Sequence, residues 1–366
     1  MILKTFRWSF VVTIVALALA FLYGGATGLV VAAILGVLEI SVSFDNAVVN
    51  ATVLQRMSPA WQRIFLTVGV LIAVFGMRLL FPVVIVCVTA KLSPAQAYHL
   101  AIDGGSVHTP GTYAYLLHEA HPAIAAFGGL FLLMLFLDFV FEERDITWIS
   151  WLEKPLARIG KLDLVSVVVS LLVLVVAANA FSPASKHIGV LMAGALGIAT
   201  YILVNGLGSL FEADGDESDA DGDEPVSRKP AAFVVGRAAF FLFLYLEVLD
   251  ATFSFDGVIG AFAITSDPII IALGLGIGAM YIRSLTVYLV NKGTLSEYVY
   301  LEAGAHWAIG ALAVLLLFTI KYEVPEVVTG LVGVGFIGAA FISSVARNRR
   351  LAAQRVPVQE VKPISA

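Results

Sequence analysis

Apolar runs long enough to cross a bilayer recur from one end of this chain to the other. About 20 consecutive apolar residues span the ~30 Å hydrocarbon layer as a helix. Inside that layer each backbone N–H and C=O must be satisfied within the protein, which restricts spanning structures to helices and closed barrels. A barrel would be written in short segments of alternating polarity, and the runs here are continuous. Only 13% of the 366 residues are charged, against about 25% in soluble domains. The sequence therefore predicts an all-α polytopic membrane protein with the lipid bilayer as its first partner. No feature points to nucleic acid.

About ten transmembrane helices are expected, over roughly 8–23, 27–53, 64–89, 122–141, 163–181, 188–210, 237–263, 268–290, 304–320 and 324–346. With the N-terminus inside, the inner segments collect seventeen Lys and Arg, and the outer loops keep three: Lys91, Lys186 and Lys321. Such a positive-inside bias predicts both termini on the cytoplasmic face of the plasma membrane. The first run, behind Lys4 and Arg7, also has the layout of a signal peptide. Its retention is expected, because its loss would unbalance the two halves described next. Cys87 is alone and mid-span, which leaves no disulfide framework.

Two stretches share their wording: "VLEISVSFDNAVVNA" from Val37 and "VLDATFSFDGVIGAF" from Val248. Their register sets Ser43-Phe44-Asp45 on Ser254-Phe255-Asp256 and Glu39 on Asp250. In the next span Arg78 corresponds to Arg283, each nine residues after a glycine, Gly69 or Gly274. Further on, "HPAIAAFGGLFLLMLF" from His121 resembles "HWAIGALAVLLLF" from His306. The copies occupy spans two to four and seven to nine. An odd offset predicts that the second copy crosses in the opposite sense. Inverted-topology repeats are the ground plan of many secondary transporters, whose sites lie near the midplane at the repeat interface. The expected organisation is a first repeat over 1–187, the first helix of the second over 188–211, an acidic cytoplasmic linker over 212–236, the rest of the second repeat over 237–346, and a basic tail over 347–366.

An ionised carboxylate at the bilayer centre costs about 3 kcal/mol on insertion scales, so buried acids need cations or protons. Glu39, Ser43, Asn46 and Asn50 form one polar stripe in a continuous helix, while Asp45 falls to one side. Glu247, Asp250 and Ser254 align likewise, with Asp256 apart. Either the helix breaks near Ser-Phe-Asp, more easily before Gly257, or each Asp faces a different neighbour. Arg78 and Arg283 are candidate partners on the adjacent spans. Four acids (Glu39, Asp45, Asp250 and Asp256) and two arginines leave −2, the charge of one divalent cation or two protons; Glu247, nearer the cytoplasmic end, stands outside that sum. Oxygen donors suit hard ions such as calcium, magnesium or manganese. Equally, the arginine pairs fit structural clamps between helices.

Glu212 to Pro230 carries eight acids in its first thirteen residues and reads as a solvated linker. The long outer loop from Lys91 to His121 holds several histidines, and reads as a surface loop with a short amphipathic helix or as a vestibule that collects metal. Its "HEAH" lacks the spacing of the zinc-protease motif.

"ILGVLEISVSFDNAVV" resembles the first signature of the TerC family of integral membrane proteins, and "LEVLDATFSFDGVIGAF" its second, in a bacterial branch of that family. The resemblance covers about half the chain. It implies a place in the superfamily that includes lysine exporters, efflux of manganese or a related divalent cation, and metal-binding roles for Glu39, Asp45, Asn46, Asp250 and Asp256. Ser43, Ser254, Glu247, Asn50, Arg78 and Arg283 would support them. The family's frequent Asp-Ser-Ile-Pro is here Asp256-Gly257-Val258-Ile259, a departure that removes a hydroxyl ligand and a proline break. The expectation is a secondary transporter, not an enzyme, carrying manganese or calcium with protons as a possible coupling ion. An exporter of a small organic solute, an intramembrane metal-dependent hydrolase, and a membrane scaffold stand as alternatives.

Overall fold

The computed structural model describes residues 5–162, 164–217, 233–265, 267–293 and 297–354. They form helices α1 (Arg7–Val42), α2 (Phe44–Leu54), α3 (Pro59–Thr89), α4 (Pro94–Asp103), α5 (Tyr113–Phe141), α6 (Ser150–Ile159), α7 (Val165–Phe181), α8 (His187–Glu217), α9 (Gly236–Ile264), α10 (Pro268–Asn291), α11 (Leu301–Thr319) and α12 (Glu326–Gln354). Among the described residues, seven helices are long and apolar enough to cross a membrane. Ile14, Leu22 and Val37 point outward at 65–80% exposure, which suits hydrocarbon and not water. The chain is a multi-pass integral membrane protein.

Helix α1 is too long for one crossing: 36 residues at 1.5 Å each would extend about 54 Å. It turns at Gly25, whose φ of 63° and ψ of −154° suit a residue without Cβ. The turn is a reversal, because a Cβ at Gly28 would stand 2.6 Å from the carbonyl oxygen of Ala20. In one helix those residues would be about 12 Å apart. Helix α10 packs along both arms. Ser9 of the first arm hydrogen-bonds the Met280 carbonyl and the Ser284 hydroxyl, while Gly24 and Gly28 both approach Ile270. In the second arm, Gly36 meets Ile277 and Leu35 meets Gly274. The first arm therefore runs antiparallel to α10 and the second parallel to it.

Helices α5 and α11 form the centre of the main apolar core. Gly129 sits against Ala313 and Leu317, and Phe136 against Gly310 and Trp307, so these two helices, which carry the His121 and His306 motifs, are antiparallel. Asp138, an acid of α5, accepts a 2.8 Å bond from the Tyr201 hydroxyl of α8. At the end of the bundle, buried Glu153 of α6 accepts from the Trp148 and Ile149 backbone N–H groups and from Trp307 Nε1 at 2.9 Å, fixing the amphipathic α6 across the core helices.

Several boundaries differ from expectation. The fourth span starts at Tyr113 and not near 122, so His118, Glu119 and His121 belong to its first turns. The short loop helix is present as α4, with a Ser93–Gln96 capping box. Helix persists to Glu217 and to Gln354, into the segments expected as linker and tail. The rest of the acidic run (218–232) and of the tail (355–366) lie outside the described residues.

Candidate functional site

The helix of the first acidic motif breaks and that of the second does not. Ser43, at φ −95° and ψ 16°, separates α1 from α2, whereas α9 runs unbroken through Gly257 to Ile264. The expectation that Gly257 would ease a break is thus reversed. Restarting at Phe44 puts Asp45 in the first turn of α2, where free N–H groups favour a carboxylate. The break also answers how Asp45, off the stripe in a continuous helix, comes to share a cavity with Glu39.

The two motif helices cross antiparallel. Asn46 Nδ2 donates to Asp250 Oδ1 at 2.9 Å, while further along Glu39 faces Gly257, where a Cβ would stand 2.9 Å from Glu39 Oε2. Each acid also meets the arginine of the following span. Arg78 Nη2 bonds Glu39 Oε1 at 2.5 Å, and Arg283 Nη2 bonds Asp250 Oδ2 at 3.3 Å. Arg283 further grips both oxygens of Glu247, at 3.1 and 3.2 Å, and lies over the Phe65 ring. Glu247 is 3% exposed and shares Arg283 with Asp250.

Arg78 reaches Glu39 from an unusual backbone. Within α3, Phe65–Gly69 and Ile72–Leu80 are π-helical, a form concentrated at functional sites. Arg78 Nη1 donates to the Ala73 carbonyl five residues earlier, so the guanidinium both helps satisfy the wide turn and neutralises the acid. Two glycines bring other backbones onto the carboxylates: a Cβ at Gly278 of α10 would overlap the Glu39 side chain, and one at Gly333 of α12 would overlap the Asp45 carboxylate. Neither glycine stands out in the sequence, since the close approach is set by the neighbouring helix.

Glu39, Ser43 and Asp45 line a cavity of about 40 Å³ together with Thr252, Gly257 and Thr329. Asp45 is 2% exposed and is paired with no cationic side chain among the described residues. A cavity of about 790 Å³ lies toward the His118 end of the bundle and shares Thr329 with the small one; Leu38, beside Glu39, lines it too. Asn46 Oδ1 and both side-chain polar atoms of Asn50 are buried without hydrogen-bond partners among the described residues. Ser254 is buried. The side chain of Asp256 lies outside the described residues. No group of three His, Cys, Asp or Glu poised to hold a metal occurs among the described residues. Of the outer loop's histidines, His108, His118 and His121 line the larger cavity, without forming such a group.

A family model described as a protein of unknown function (DUF475) matches residues 44–351. The chain belongs to the DUF475 family. The match takes in α2, both arginines and the whole second motif, and begins after Glu39. No curated protein and no solved structure matches the chain. The family match is to DUF475 and not to TerC or the lysine exporters; that kinship stays an inference from the two motifs.

Proposed function

We propose that this DUF475 protein is a secondary transporter that exports a divalent cation, manganese favoured, across the bacterial plasma membrane. In this reading ten helical segments cross the membrane as two inverted repeats, with both termini cytoplasmic. The observation that carries it is the antiparallel crossing of the two acidic motif helices, with buried Glu39 and Asp45 facing one small cavity. Further support comes from the antiparallel packing of α5 on α11 and from the matched pairs Glu39–Arg78 and Asp250–Arg283. Carboxylates and hydroxyls are the donors that hard cations favour. The larger cavity beyond Thr329 would be the outer mouth, and rocking of one repeat on the other would expose the site to each side in turn.

The arginines bear on the alternative of an organic solute. Both guanidinium groups are engaged by the protein's own acids, so a carboxylate substrate would have to compete with those acids for them in this conformation. A cavity of about 40 Å³ has room for little more than one water-sized occupant. The reading requires no catalysed reaction. Its test is manganese flux in proteoliposomes. Asp45→Asn removes the carboxylate that has no arginine, and flux is expected to fall at least tenfold; undiminished flux would sink the assignment.

A further inference from the structure

The inverted repeat makes a comparison possible that neither motif allows alone. In the register that sets Glu39 on Asp250, Asn46 corresponds to Gly257. A twofold relation between the copies therefore turns the Asn46–Asp250 contact into a Gly257–Glu39 contact. Both contacts exist. At the first, the Asn46 amide reaches Asp250 Oδ1 at 2.9 Å. At the second, the Gly257 backbone lies so close that a Cβ would stand 2.9 Å from Glu39 Oε2, with no side chain to make the bond.

The two carboxylates are left in different states. Asp250 has both oxygens occupied, Oδ1 by Asn46 and Oδ2 by Arg283. Glu39 has Oε1 held by Arg78, while Oε2 is turned to Gly257 at the cavity that Asp45 also lines. The geometry points to Gly257 as the residue that determines where the cation sits and how many bind. One hard divalent cation takes the place of the missing amide, between Glu39 Oε2 and Asp45, with the Ser43, Thr252 and Thr329 hydroxyls in the same cavity. The pseudo-symmetric second seat is closed by Asn46 and Arg283, which makes the Asp250 side a clamp. The volume agrees, since about 40 Å³ has room for such an ion.

This inference rests on the reading of the protein as a cation transporter, and its test separates the two. Purified protein is titrated calorimetrically with Mn²⁺, and flux is measured in parallel on the same preparations. Wild type is expected to bind one ion. Gly257→Asn restores the amide opposite Glu39 and is expected to weaken binding at least tenfold while the melting temperature in detergent holds. Gly257→Ala, a smaller intrusion that covers the case in which Asn prevents folding, is expected to weaken it about threefold or more. Wild-type affinity in both folded variants, with Asp45→Asn still inactive in flux, overturns the seat at Gly257 and leaves the transport reading standing. Two ions bound per wild-type chain likewise overturns the single seat. Absence of both Mn²⁺ binding and Mn²⁺ flux in wild type overturns the transport reading, and this inference with it.

Discussion

At the scale of the residue, polar groups in apolar runs are conspicuous, and the sequence shows Glu39, Asp45, Asn46 and Asp250 for that reason. Their assembly follows from the cost of burying charge, which drives each acid toward a partner. Which partner is a matter of helix rotation, which the sequence does not write. Glu247 stood outside the charge sum, and Arg283 takes it as a bidentate partner at 3.1 and 3.2 Å. Gly257, Gly278 and Gly333 escaped notice as carboxylate neighbours for the opposite reason: a glycine has no chemistry to display, and its value is the space it leaves. The Arg283 cluster yields a prediction. Arg283→Leu strands Glu247 and Asp250 without a cation, and loss of one partner of a buried pair costs about 3–5 kcal/mol. A clear fall in melting temperature in detergent is expected, partly recovered when Glu247→Gln and Asp250→Asn are added. An unchanged midpoint for the single variant would contradict the clamp.

At the scale of the element, continuous apolar runs marked where the long helices lie, because length and hydropathy are written residue by residue. Backbone irregularities were less legible. The joint between the first two spans was legible as the gap between 8–23 and 27–53, but not that the chain reverses at Gly25. The π-helical stretches of α3 carry no sequence mark at all; in the second of them Arg78 donates to the Ala73 carbonyl. The break fell at Ser43 in the first motif although glycine stands in the second, since contacts with neighbouring helices outweigh the small intrinsic preference of one residue. Gly25 lends itself to test. A side chain at φ 63° and ψ −154° is strained by about 1–3 kcal/mol. Gly25→Ala should lower the melting temperature, whereas the same change at Gly206, inside α8 where a Cβ would meet nothing, should leave it unaltered or slightly raised. Equal effects at both positions would argue against a strained turn.

At the scale of the whole molecule, the distribution of Lys and Arg predicts a direction for every segment, whereas contacts between helices report relative senses alone. The second arm of α1 runs parallel to α10, while α5 with α11 and the two motif helices are antiparallel, the senses that the inverted pair proposed above would have. Sidedness can be measured directly. In a Cys87→Ser background, Lys91→Cys is expected to react with a membrane-impermeant maleimide on intact cells, and Arg350→Cys only after permeabilisation. The reverse pattern would invert the topology. The charge pairing also bears on biosynthesis. Glu39 meets Arg78 and Glu247 meets Arg283, in each case an acid and an arginine from consecutive long hydrophobic segments. As the ribosome delivers the chain, each arginine-bearing segment finds its counter-charge in the segment made just before it. No such segment then has to wait in lipid, charged, for a partner synthesised a hundred residues later.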